Sequence, residues 1–188
     1  MNTVSPAPGS RPKDRARSLT GLVTSVVITL ILVWGVIALT NEDALWFTHR
    51  FDARATSFTI YWDGDVYTVR QGDAAYEPIM AAFADGIAKP SGYEGSVALS
   101  EESIDIFQSK LRMLEVRFDE PVQVHTRHPY LAAATYLVPL SETHGRMRRA
   151  FSFPGYVPYT SGPLNIAPER HTVLAQAVES AVTLASAK

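Results

Sequence analysis

From Leu19 the chain reads LTGLVTSVVITLILVWGVIAL, an unbroken run to Leu39 with no charged residue. As a helix rising 1.5 Å per residue it spans about 30 Å, the thickness of a bilayer's hydrocarbon core. The surface helix of a water-soluble domain needs one polar face, and this segment has none. Its few hydroxyl residues, Thr20, Thr24, Ser25 and Thr29, can bond back to helix carbonyls and so cost little in lipid. The expected partner of Leu19 to Leu39 is therefore the lipid bilayer.

Charge sets the expected direction. Residues 1–18 carry Arg11, Lys13, Arg15 and Arg17 against Asp14, a net +3 in a chain of net −2, so the remainder carries −5. The first charges after the segment are Glu42 and Asp43. The positive-inside rule places the N-terminus in the cytoplasm and the C-terminal part outside. Trp34, Trp46 and Phe47 fall near the far end, where an interfacial aromatic belt would lie.

Val36 and Ala38 also offer the small residues of a signal-peptide cleavage site. However, the apolar run exceeds the usual length of about 7–15 residues, and a long tail rich in Pro and Ser precedes it. The length favours an uncleaved, single-pass anchor in the cell membrane. The expected organisation is a disordered basic cytoplasmic tail over 1–18, a transmembrane helix over 19–39, a juxtamembrane connector over 40–55 and an extracytoplasmic domain over 56–188.

The chain has no cysteine, which excludes disulfides, thiolate nucleophiles, Cys-ligated zinc and iron–sulfur clusters. The acidic balance after residue 18 argues against a nucleic-acid partner, because backbone binding rests on Lys and Arg. No sequence pattern calls for a cofactor.

Within residues 56–188 the clearest local signal is a pair of β-rich runs, Phe58–Trp62 and Asp65–Val69, flanking Asp63–Gly64. That dipeptide is the preferred chemistry of a type I′ hairpin turn. Tyr76, Ile79, Met80, Phe83 and Ile87 recur at helical spacing and predict a helix from about Ala75 to Ile87. Pro78 fits its first turn, and Gly86 with the Lys89–Gly92 stretch is expected to end it. Ser100 is a candidate N-cap for a short helix with Ile104, Phe107 and Leu111 on one face. Leu114, Val116 and Phe118 alternate with Glu115 and Arg117, the period of a half-buried strand. Pro121 interrupts it, and Ala133–Val138 reads as another strand. A final helix is expected from Pro168 to about Ala185, with Leu174, Ala177, Val178, Ala181, Val182 and Ala185 as its buried stripe. The order β-β-α-α-β-β-(β)-α predicts an α+β fold, a mostly antiparallel sheet packed against helices.

No catalytic constellation stands out against ordinary structural roles. His125 and His128 are the nearest approach to a metal pair, but they lack the helical i, i+4 spacing and an identifiable third ligand. Asp63 and Asp65 are explained by the turn. No Gly-x-Ser-x-Gly elbow or Gly-rich phosphate loop occurs. Arg146, Arg148 and Arg149 form a small basic cluster just before Phe151, Phe153, Tyr156 and Tyr159, which are interleaved with Pro154, Gly155 and Pro158. Aromatics and arginines dominate binding energy where they are desolvated. They make Arg146, Arg148, Arg149, Phe153, Tyr156 and Tyr159 the candidate partner-binding residues, on a surface loop or an edge strand. The expectation is a membrane-anchored interaction module, an accessory subunit, sensor or assembly factor meeting a protein partner at the outer membrane face. The alternative is an extracytoplasmic hydrolase or metal-dependent enzyme using His125 and His128.

Overall fold

A computed structural model describes residues 12–40, 43–93, 99–126, 132–141, 150–154 and 164–187. The chain divides into two units, Met1–Ala44 and Leu45–Lys188.

The first unit contains helix α1, Pro12–Thr40. Its stretch Leu19–Thr40 has a mean hydropathy of 2.7 and is long and apolar enough to cross a membrane. Thr29 donates its hydroxyl to the Ser25 carbonyl at 2.9 Å, and Thr40 donates to Val36 at 2.8 Å. Residues 12–18, expected as part of a disordered tail, are helical. Pro12 supplies a suitable first residue, and Lys, Arg and Ala extend a helix that the apolar run has already nucleated.

In the second unit, β1 (Ser57–Trp62) and β2 (Asp65–Arg70) form the predicted hairpin. Asp63 has φ 53° and Gly64 φ 99°, both positive as a type I′ turn requires. Helix α2 (Tyr76–Ala88) buries Tyr76, Ile79, Met80, Phe83 and Ile87. Gly86 does not end it. It lies inside the helix, where an added Cβ would sit 3.2 Å from Ile166 Cγ2, so its lack of a side chain lets the helix approach the sheet closely.

Next come β3 (Gly92–Tyr93), α3 (Glu101–Lys110) and β4 (Met113–Val122). Ser100 caps α3 as expected, its hydroxyl accepting from the Ser103 N–H at 3.2 Å. Then follow β5 (Ala133–Pro139), β6 (Ala150–Pro154), β7 (Leu164–Ile166) and α4 (Pro168–Ser186). The buried stripe of α4 is Leu174, Val178, Ala181 and Val182; Ala185 is exposed.

Among the described residues the strands form one seven-stranded sheet, ordered β2-β1-β4-β5-β6-β7-β3, with every pairing antiparallel. The fold is α+β. Pro121 does not break β4. It stands in a register irregularity between Arg117 and Val122, where a missing ladder donor is tolerated.

The main core lies on one face of the sheet, under α2 and α4. There Phe58 and Ile60, Leu114, Val116 and Phe118, and Tyr136 and Val138 meet Phe83, Leu174 and Val178. At its centre Phe51, Phe83, Phe118 and Tyr136 make edge-to-face contacts with centroids 5.7 to 5.8 Å apart, near the optimum for opposing ring quadrupoles. Phe51 and Ala55 are buried in this core, so the later part of the stretch read as a connector belongs to the domain. On the other face α3 covers a smaller cluster of Leu99, Ile104, Phe107, Met113 and Leu137.

Candidate functional site

The face under α3 is where the sheet departs from its sequence pattern. Alternation gives Glu115 to a solvated face, yet it is only 3% exposed. The apolar stripe of α3 needs a surface to cover, and it finds Met113 and Leu137 there. Glu115 is paired in register with Thr59 on β1 and Leu137 on β5. Its Oε1 accepts from Arg117 Nε, and its Oε2 accepts from the Tyr61 hydroxyl at 3.1 Å. Gln108 of α3 reaches the Tyr61 oxygen at 3.4 Å. A buried carboxylate costs several kcal/mol unless it is paired (~2–7 kcal/mol even for neutral polar groups), and this network supplies both oxygens with a donor.

Burial pushes the Tyr61 phenol up to about 12, helped by the adjacent Glu115 charge and the hydrogen bond to it. The phenol therefore stays protonated at neutral pH and holds the carboxylate in place. Beside this cluster one cross-strand row carries Arg70, Ser57, Arg117 and Thr135, with both arginines exposed.

Two further constellations lie elsewhere. Arg112 grips Asp63 through Nε and Nη2, at 3.1 and 2.8 Å to Oδ2, and its guanidinium lies 4.1 Å above the Trp62 ring. The Arg112 hydrogen bonds hold the Asp63 carboxyl below the usual carboxylate range. Between α2 and α4 an open cleft of about 520 Å³ is floored by Pro78, Ala81, Ala82 and Val173. At its rim Arg170 bonds Asp85 at 2.9 Å and the Lys89 carbonyl at 3.1 Å. The hydrogen bond from Lys89, with the charge of Arg170, keeps Asp85 low. His171 is likewise structural: its Nε2–H donates to the Pro139 carbonyl at 2.8 Å, since a carbonyl can only accept.

Of the sequence candidates, Phe153 lies in β6, paired in register with Leu137, while Phe151 pairs with Asn165 of β7. β6 is thus an interior strand, neither an edge nor a loop. The chain enters and leaves it at opposite ends, which five residues separate by about 17 Å. Arg146, Arg148 and Arg149 precede the strand, and Tyr156 and Tyr159 follow it. All five lie outside the described residues, as does His128. The His125 N–H donates to the Arg50 carbonyl at 3.4 Å. Among the described residues, no three His, Asp or Glu side chains converge into a metal-binding group.

The Tyr61–Glu115 network was missed by sequence reading. Its signal was the unplaced apolar face of α3: Ile104, Phe107 and Leu111 required a second buried sheet face. Against known protein families, characterised proteins and solved structures, the chain gives no match.

Proposed function

We propose that this is a single-pass membrane protein, N-terminus in the cytoplasm, whose outer α+β domain works by contact with a protein partner at the outer membrane face. Its role is that of an accessory subunit, sensor or assembly factor. The observation that carries the reading is α1. Its Leu19–Thr40 stretch has exposed apolar side chains, Leu22, Ile28, Leu32 and Leu39 among them. A helix of that kind in water is unstable, and lipid is its natural solvent. The +3 charge of residues 1–18 gives the direction.

The proposed contact residues are Arg146, Arg148, Arg149, Phe153, Tyr156 and Tyr159, which in sequence precede, belong to and follow β6. External protease on intact cells is expected to remove the C-terminal domain and spare the basic tail. A protected C-terminus, or a mature N-terminus near Leu39, would overturn the topology. Alanine at Arg149 and Tyr156 together should abolish partner capture from mild detergent while leaving thermal unfolding unchanged. A variant that unfolds would make those residues part of the core and remove the contact reading.

A further inference from the structure

The turn at the start of the second unit, Leu45–Lys188, exposes apolar side chains. Leu45 is 48% and Phe47 51% exposed, while Trp46 packs edge-to-face on Phe47 with centroids 5.9 Å apart. Two exposed apolar side chains flanking a half-buried indole in sequence are unusual for a surface meeting only water. The turn is nevertheless fixed. The Leu45 carbonyl accepts both the Thr48 N–H at 2.8 Å and the Thr48 hydroxyl at 2.9 Å. His49 follows in the left-handed region with φ 48°, and Phe51 anchors the chain in the aromatic core against Phe83 and Phe118.

We infer that Leu45, Trp46 and Phe47 form a second attachment to the bilayer, seated at the boundary between headgroups and acyl chains. This inference rests on the proposal that Leu19–Thr40 spans the membrane. Four residues separate Thr40 from Leu45, so the extended chain lets Leu45 lie at most about 18 Å from the end of the helix. Leucine and phenylalanine gain by leaving water, and the half-buried Trp46 ring, packed on Phe47, adds to that apolar surface. After the turn the first charge is Arg50, exposed three residues beyond Phe47, where headgroup water and phosphate are available. The occupant is therefore a phospholipid surface, and the turn holds the first residues of the domain against it.

The chain has three tryptophans, Trp34, Trp46 and Trp62, which makes the inference directly measurable in full-length protein reconstituted into phosphatidylcholine vesicles. A variant with Trp34→Phe and Trp62→Phe reports Trp46 alone; one with Trp46→Phe and Trp62→Phe reports Trp34 alone. Lipids brominated near the headgroup are expected to quench Trp46 more than lipids brominated near mid-bilayer. Trp34, six residues or about 9 Å inside the end of the helix, lies deeper than the interfacial belt to which its place in the sequence pointed, and should show the opposite order. Adding Leu45→Ser and Phe47→Ser should relieve the quenching of Trp46 and leave that of Trp34 unchanged. If Trp34 is quenched while Trp46 emits equally in brominated and plain lipid, the interfacial attachment is wrong and the membrane span survives. If Trp34 is not quenched, the span itself fails and the attachment falls with it.

Discussion

Tyr61 donates its hydroxyl to Glu115 Oε2 across 3.1 Å, tying β1 to β4 on the face that α3 covers. The bond joins neighbouring strands beneath a helix, and Glu115 has little water to replace a lost donor.

Tyr61→Phe should therefore destabilise the protein by about 1–3 kcal/mol, the usual consequence of leaving a buried acceptor unmatched. Urea unfolding measures it. In combination with Glu115→Gln the loss should fall short of the sum of the two single changes, since both break one network. The same contact has a pH signature. Because the folded-state phenol is raised to about 12, above its ordinary value of about 10, its contribution is complete below pH 10 and disappears as pH climbs toward 12. Tyr61→Phe should flatten that part of the wild-type stability profile.

Gly64→Val should cost about 1–2 kcal/mol, because a β-branched residue resists φ 99°. The nearest atom to an added Cβ is the Ser109 carbonyl oxygen at 3.7 Å, an ordinary contact, so the penalty belongs to the backbone. Gly64→Asn, whose side chain tolerates positive φ, should recover much of the loss in thermal unfolding.

Gly86 tests the approach of α2 to the sheet. Gly86→Val places atoms closer than the 3.2 Å already available beside Ile166 Cγ2, and overpacking of this kind typically costs about 1–3 kcal/mol. Truncating the neighbour should make room. In chemical denaturation Gly86→Val together with Ile166→Ala should be less harmful than the two separate losses added.

The Arg112 clamp on the hairpin turn should be visible by carbon NMR of the Asp63 carboxyl. In the wild type its midpoint lies below that of an ordinary aspartate, and Arg112→Gln should return it toward the usual value. A depressed folded-state midpoint stabilises above the ordinary carboxylate range and loses its effect as pH falls through the folded value. The difference between wild type and Arg112→Gln should accordingly shrink in acid. An unchanged Asp63 midpoint in the variant would remove Arg112 as the cause.

The features legible in the residues alone were those whose physics is local. The uncharged run from Leu19 made an apolar helix, Asp63–Gly64 made a type I′ turn, Ser100 capped α3, and Tyr76 to Ile87 and Leu174 to Val182 made helical stripes. Each depends on neighbours a few residues away, through backbone dihedrals or side-chain period. Which surfaces those elements cover emerged from packing between residues far apart in the chain. Alternation showed that β4 has two faces, and it could not show that α3 closes over the one bearing Glu115. Gly86 resembled a helix stop because its actual reason, the approach of Ile166, lies eighty residues further along the chain. β3 and β7, two and three residues long, are too short to show a period, and Ala150–Pro154 became interior because β5 and β7 pair with it from both sides. Strand pairing is set by hydrogen bonds and packing between residues distant in sequence, so local composition does not encode a strand's place in the sheet.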